Sequence, residues 1–364
     1  MTTWRDDPAH PVGRYCVASE DSIRTVMLCI DRNASGIALV VDGHLKLLSV
    51  VTDGDIRRAI LAGIDLDLPV QAALDLRAQV EEYRGPVTAP AGSSPEQLRA
   101  LMEERSVRQV PLVNAEGRVA GLVTDRDVLS REPLPVTAVV VAGGIGQRLR
   151  PLTESTPKPL LPIGDRPLMQ HTIERLTSWG ISRLVVSTRY HADKIKQHFG
   201  DGRRYGVEIS YLTESQPLGT AGALREIADT GRPLLVINGD IITRTDFGAM
   251  YRFHRDREAV LTVGVKEYNT RVPYGVIETR GDLVLAVLEK PKKHFLVNAG
   301  IYVVEHAALR HIPASDRFDM TDLIAALCHA HQRVVAFPIC EYWLDVGQPA
   351  DYEQAQHDFA DGRF

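Results

Sequence analysis

The chain has 364 residues, 44% hydrophobic and 24% charged, which is long enough for two packed domains and excludes a disordered chain. Its formal net charge of −5, with no Lys/Arg-rich block, leaves no nucleic-acid footprint. No apolar run reaches the ~18 residues that span a bilayer, and the start MTTWRDDPAH lacks the apolar core of a signal peptide. A cytoplasmic protein is expected, with neither nucleic acid nor membrane as partner. The four cysteines, Cys16, Cys29, Cys328 and Cys340, show no C-x-x-C spacing and read as reduced core residues.

Ahead of residue 136 the sequence repeats itself. LVVDGHLKLLSVVTDGDI at 39–56 parallels PLVNAEGRVAGLVTDRDV at 111–128, with the Thr-Asp-x-Asp segments 72 residues apart. Each copy reads as a strand, a turn at Asp42-Gly43 or Glu116-Gly117, a second strand, and a helix capped at Thr-Asp. An earlier helix in each, over Ser22 to Asp31 and over Pro95 to Glu104, has apolar residues at helical spacing. Ser94 and Pro95 supply its N-cap and first-turn proline in the second copy.

This α+β pattern resembles a tandem pair of CBS domains (a Bateman module). The resemblance implies an adenine or guanine nucleotide effector between the halves, its ribose meeting Thr52 with Asp55 and Thr124 with Asp127. A short carboxylate accepts two hydrogen bonds from vicinal hydroxyls, and the helix N-terminus behind it favours phosphate. The same residues are also good helix caps, worth about 1 kcal/mol each without any ligand. Nucleotide sensing and a purely oligomer-forming role therefore both stay open. Arg131-Glu132-Pro133-Leu134-Pro135 reads as a proline-marked junction, giving one module over 1–132 and another over 136–364.

The second module opens on VTAVVVAGGIGQRLRPLTESTPKPLLP, Val136 to Pro162. Val136 to Val141 predicts a buried parallel strand, and Ala142-Gly143-Gly144-Ile145-Gly146 a turn with almost no side chains between its amides and a ligand. Arg148 adds a forked cation, and Lys158 adds a point charge on the stiff Pro157-Lys158-Pro159 segment. A Rossmann dinucleotide fingerprint fits poorly, because Leu149 stands where its third glycine belongs and Thr188-Arg189-Tyr190 supplies no acid after the next strand. A Walker loop needs its lysine directly after the glycines. A plain structural turn is the remaining alternative on this segment alone.

Beyond it, strands and helices alternate: Leu168 to Trp179, Leu184 to Ser187, Asp193 to Phe199, Val207 to Tyr211, Ala221 to Ala228 and Leu234 to Ile237. That order predicts a mostly parallel, Rossmann-like α/β sheet wrapped by helices, with ligands beyond the carboxyl ends of its strands. Gly143-Gly144 and Asn238-Gly239-Asp240 both fall there.

Gly143-Gly144-x-Gly146-x-Arg148-Leu149-x-Pro151-Leu152-Thr153 with Pro157-Lys158-Pro159 resembles the signature of sugar-1-phosphate nucleotidyltransferases. Similar segments follow in order: Glu214 to Gly222, Asn238-Gly239-Asp240, Pro273-Tyr274-Gly275, Glu289-Lys290-Pro291, Asn298-Ala299-Gly300 and Trp343 to Gly347. The resemblance implies attack by a sugar 1-phosphate on the α-phosphorus of a nucleoside triphosphate. It assigns Arg148, Lys158 and Lys290 to the phosphates. Ala142, Gly143, Gly144, Gly146, Glu214, Gly219 and Thr220 would contact the nucleotide, and Tyr274, Gly275, Glu289 and Asn298 the sugar. Asp240 and Asp345 would hold Mg2+, an ion content with one or two carboxylates plus phosphate oxygens. Taken singly, each aspartate is equally a turn or capping residue.

The Pro217 to Gly222 loop resembles the guanylyl-transferring members more than the thymidylyl or uridylyl ones. Glu214 could accept the N1 and N2 hydrogens of guanine. GTP is therefore the expected donor and a GDP-sugar for surface glycans the expected product, with other bases of the same family as the alternative. A metal-dependent glycosyltransferase also carries an aspartate loop after a parallel strand, but does not need the Arg148 and Lys158 pair. Both modules resemble self-associating ones, so a dimer or tetramer is expected.

Overall fold

The computed structural model describes residues 10–80, 85–128, 133–314 and 317–364. Arg131 and Glu132 of the expected junction lie outside the described residues. Among the described residues no helix is long and apolar enough to cross a membrane.

The two N-terminal copies fold alike. In the first, Cys16–Val17 pairs in parallel with Ile37–Val41, which pairs antiparallel with Leu47–Thr52; in the second, Ala89–Pro90, Gln109–Val113 and Val119–Thr124 repeat that order. The turns are built as their sequences suggest. The Asp42 carboxylate accepts the amides of His44 and Lys46, and Asn114 does the same for Glu116 and Arg118. Helices Ile23–Asn33 and Pro95–Arg105 start at Ser22 and Ser94, each capping the third amide on. Leu47 and Val119 donate to Gly117 and Leu45, which stitches the copies together.

The C-terminal module is built on a seven-stranded sheet: β1 (Thr137–Val141), β2 (Arg183–Thr188), β3 (Glu208–Thr213), β4 (Leu234–Asn238), β5 (Leu261–Arg271), β6 (Lys292–Val304) and β7 (Val334–Pro338), in spatial order β3-β2-β1-β4-β6-β5-β7. Only β6 runs against its neighbours; the other pairings, β3 with β2, β2 with β1, β1 with β4 and β5 with β7, are parallel. Alternate residues of β1 feed two cores. Ala138 and Val140 face Met169, Ile173 and Phe199, while Val139 faces Met320, Leu323 and Leu327. Each buried Val, Ile, Leu or Met contributes about 1.5–3 kcal/mol, so both faces need their helices.

Two expectations change. The helix expected from Ala221 to Ala228 is a single turn, Gly219–Gly222, running into a short 3-10 segment, Ala223–Glu226. Gly219 has a left-handed φ of +82°, and Asp319 captures the Thr220 amide at 2.9 Å, so the segment is clasped by the chain beside it and not extended as a helix. Among the cysteines, Cys16 and Cys340 are buried, but Cys328 is exposed on the outer side of helix Met320–His329.

The modules share one interior. Cys340 packs in the same apolar cluster as Val26, Ile56 and Ala59 of the first CBS copy. From helix Asp53–Leu61, the buried Arg57 donates to the Pro338 carbonyl and to Glu341 at 3.0 Å each, pairs with Asp53 at 2.7 Å, and lies 4.2 Å from the centre of the Phe337 ring. Asp31 accepts the Tyr342 amide at 2.8 Å. Further out, Asp67 bridges Arg24 and Lys292, and these two hold its carboxyl down to about 2.

Removing one partner of a buried charge pair strands the other, at a cost of about 3–5 kcal/mol. Arg57→Ala is expected to destabilise the protein by about 3 kcal/mol and to split its unfolding into two transitions, read by differential scanning calorimetry. An unchanged single transition would contradict the shared interior.

Candidate active site

The carboxyl ends of β1, β2 and β4 are level, because Val141 pairs with both Ser187 and Asn238. The chain leaves β1 at Ala142, whose amide is held by the Ser187 carbonyl at 2.8 Å, and enters the glycines. Gly146 sits at φ +66°, and a Cβ there would come within 2.9 Å of the Thr153 methyl. The Thr153 hydroxyl donates to the Gly146 carbonyl at 2.7 Å, pinning the end of the turn. A 3-10 segment, Gln147–Leu149, follows and leaves Arg148 exposed with Leu149 buried beneath it.

Asp240 and Asp345 come together through one strand pair. Ile241–Thr243 runs antiparallel to Trp343–Asp345, with Ile241 opposite Asp345, and the Val346 amide donates to the Asp240 carbonyl at 3.0 Å. Asp240 accepts from Lys158 Nζ at 2.6 Å, a lysine brought in by the extended Pro157. Burial, and then the Asp240 carboxylate, push the Asp345 carboxyl up to about 6, against the pull of Lys158 and Arg148. Arg148 is near: its guanidinium lies 3.8 Å from where a Cβ on Gly347 would stand, and Asp345 Oδ1 lies 3.5 Å from the same point. Two adjacent acids with one bound lysine are short of positive charge, which suits a cation bound alongside phosphate oxygens. Among the described residues no cluster of three or more acidic, His or Cys side chains could hold a metal.

The nucleotide-side residues form a second group. Glu214 is buried; its Oε1 accepts the Ser187 hydroxyl and its Oε2 the Leu218 amide at 3.1 Å. Both oxygens thus hold the loop that leads to Gly219. Oε1 also lies 3.0 Å from a Cβ placed on Gly143, so glycine there lets the two loops touch. Asp319 holds Thr220, whose hydroxyl in turn accepts the Met320 amide.

Of the residues expected at the sugar, Tyr274 and Gly275 precede the hairpin Val276–Arg280 with Leu283–Leu288, Glu289 follows it, and Asn298 lies on β6. Tyr274 is 74% exposed. Gly275 would place a Cβ 3.2 Å from Glu289 Oε2, and Lys290 Nζ lies 3.8 Å from Glu289. Lys290 has φ +46°, a left-handed conformation that costs a side-chain-bearing residue roughly 1–2 kcal/mol. Asn298 is closer to the aspartates: it accepts the Gly300 amide at 3.0 Å, and Trp343 donates to the Ala299 carbonyl at 2.8 Å. The expected ribose contacts are partly occupied. Asp55 closes a capping box with Thr52 and pairs with Arg58 at 2.7 Å and Arg77 at 3.2 Å, while Asp127 accepts both the amide and hydroxyl of Thr124.

A Rossmann-like sheet carrying a glycine turn, a lysine and two facing aspartates at its carboxyl edge defines a nucleotidyl-transfer domain. Residues 137–362 match the family described as nucleotidyl transferase, and the chain belongs to that family. Residues 9–62 and 80–133 each match the CBS domain. The chain is 33% identical over 234 residues to a mannose-1-phosphate guanylyltransferase of Mycobacterium tuberculosis (strain ATCC 25618 / H37Rv), covering 62% of this chain and 65% of that one. It is 31% identical over 222 residues to a D-glycero-alpha-D-manno-heptose 1-phosphate guanylyltransferase of Aneurinibacillus thermoaerophilus, covering 60% of this chain and 96% of that one. The chain thus spans less than two thirds of the Mycobacterium protein's length. A crystal structure from Bacillus anthracis, described as a glucose-1-phosphate thymidylyltransferase, shares the fold at a TM-score of 0.50 and 24% identity, over 61% of this chain and 94% of that one.

Gly300 has φ +68°, and a Cβ there would stand 2.7 Å from Asn238 Nδ2, next to Asp240. Gly300→Ala is expected to cost at least about 1–2 kcal/mol, measured by urea unfolding. Unchanged stability would show that the Asn238 loop yields freely.

Proposed function

We propose that the chain transfers a nucleotidyl group from a nucleoside triphosphate, GTP, to a sugar 1-phosphate, giving a GDP-sugar and pyrophosphate. The observation that carries this reading is the convergence of Asp240, Asp345 and Lys158 beside the Gly143 to Gly146 turn. Two mutually repelling anions must meet there, and such a transfer depends on positioning and charge neutralisation more than on covalent help from the protein. Asp240 and Asp345 would hold Mg2+, which would supply positive charge against the phosphates. The Gly143 to Gly146 amides cradle the triphosphate, and Arg148 stabilises the β and γ groups as pyrophosphate leaves. Lys158 leaves Asp240 in part to meet the α-phosphate. Lys290 receives the phosphate of the incoming sugar, with Tyr274, Gly275, Glu289 and Asn298 around the ring.

The names of the relatives support GTP, and their sugars support mannose or heptose 1-phosphate. Glu214 and Gly219 shape the wall on which the base lies, Glu214 chiefly by holding the loop. Thymidylyl, uridylyl or cytidylyl transfer is the second reading, and the fold shared with the Bacillus structure is compatible with it. We read the chain as a regulatory module over 1–132 and a catalytic module over 136–364, acting in the cytoplasm. The exposed Ile277, Leu283, Val284, Leu285 and Val287 of the hairpin support self-association. A nucleotide at the CBS pair would regulate turnover.

The test is a panel of GTP, ATP, UTP and dTTP against mannose, glucosamine, glucose and heptose 1-phosphates with Mg2+, followed by pyrophosphate release. Release with GTP and one sugar is expected; silence across the panel rejects the reading. Lys158→Ala and Asp345→Asn are each expected to lower kcat/KM by on the order of 10²–10³ while keeping the wild-type melting temperature. Activity within threefold of wild type would remove the residue from the site.

A further inference from the structure

A cavity of about 440 Å³ lies where the two CBS copies meet the catalytic module. Thr52, Asp55 and Arg58 line it from the first copy, Arg108 from the second, and Arg252 from helix Phe247–Asp256 of the transferase. Thr124 and Asp127 are absent from its lining. Most of its cations are matched: Arg58 and Arg77 pair with Asp55, and Arg108 with Asp125 at 2.6 Å. Arg252 differs. It is exposed and makes no ion pair among the described residues, although Asp53 and Asp246 line the same cavity. Partial loss of hydration, and then the like charge of Arg108, lower its pKa from the ordinary value, against the pull of the Asp246, Asp125 and Asp53 carboxylates. A cavity whose other arginines are held in ion pairs, with one exposed forked donor set outside any pair, can take a phosphate group.

We infer that Arg252 is the transferase's own contribution to the effector site, receiving a phosphate of a nucleotide held between the CBS copies. The site is complete only where all three parts meet. This rests on the reading that the CBS pair takes a nucleotide, and adds to it the residue through which occupancy reaches the catalytic module. The helix of Arg252 begins at Asp246, whose amide donates to Glu341 at 3.1 Å, and the same Glu341 oxygen accepts from Arg57 of the CBS helix. Glu341 stands four residues ahead of Asp345. A phosphate drawn onto Arg252 therefore acts on an element tied to the segment that carries Asp345.

Isothermal titration calorimetry with ATP and GTP on the full-length Arg148→Ala protein, whose catalytic triphosphate site is impaired, isolates the cleft. Adding Arg252→Ala is expected to weaken the binding at least tenfold, and Arg252→Lys to restore most of it, with melting temperatures showing that each protein is folded. In the otherwise wild-type enzyme, Arg252→Ala should bring the ratio of turnover with and without the bound nucleotide close to one. Equal affinity with and without Arg252 overturns this inference and leaves the CBS reading standing. Absence of any cleft binding of ATP or GTP to the Arg148→Ala protein overturns both.

Discussion

The antiparallel pairing of Ile241 with Asp345 is the constraint on which the site depends. It joins a segment directly after β4 to one more than a hundred residues later, and it sets two carboxylates side by side at the edge of a mostly parallel sheet. Like charges held close in a partly buried place are unfavourable without a cation. The surroundings supply Lys158 and Arg148 from the loop after β1, and burial, followed by the Asp240 charge, raises the Asp345 carboxyl against them.

Much of this was legible in the sequence because periodicity and turn chemistry are local. The apolar run of β1 and the glycines after it, the repeat ahead of residue 136, and the caps at Ser94 and Thr52 all declare themselves within a few residues. The meeting of Asp240 and Asp345 followed from family resemblance and not from spacing, since no local rule links residues so far apart. The helix expected over Ala221 to Ala228 does not form as such for the same reason. Its conformation is decided by Asp319 and the Phe318 carbonyl, which arrive from another part of the chain. Glu214 shows the limit from the other side: its residue type suggested a base contact, while its oxygens are engaged by Ser187 and Leu218. Arg252 lay in an unremarked helix, and only the folded chain brings it to the CBS cleft.

Charge organises both ends of the molecule, in different ways. At the sheet edge, Lys158 and Arg148 stand beside Asp240 and Asp345. At the module boundary, Arg57, Asp53 and Glu341 satisfy one another away from water, which raises the Glu341 carboxyl through burial even as Arg57 opposes it. Such a closed cluster adds specificity of docking more than raw stability.

The shared interior at Cys340 bears on how the two halves can be handled apart. A chain cut in the Pro133 to Pro135 segment would bare Phe337, Cys340 and an acid whose guanidinium cover had gone, so the trimmed half would carry a wound of its own at the root of the Trp343 strand. Differences between it and the whole protein would then report that damage as well as any lost control. Single changes inside the intact chain are the cleaner instrument.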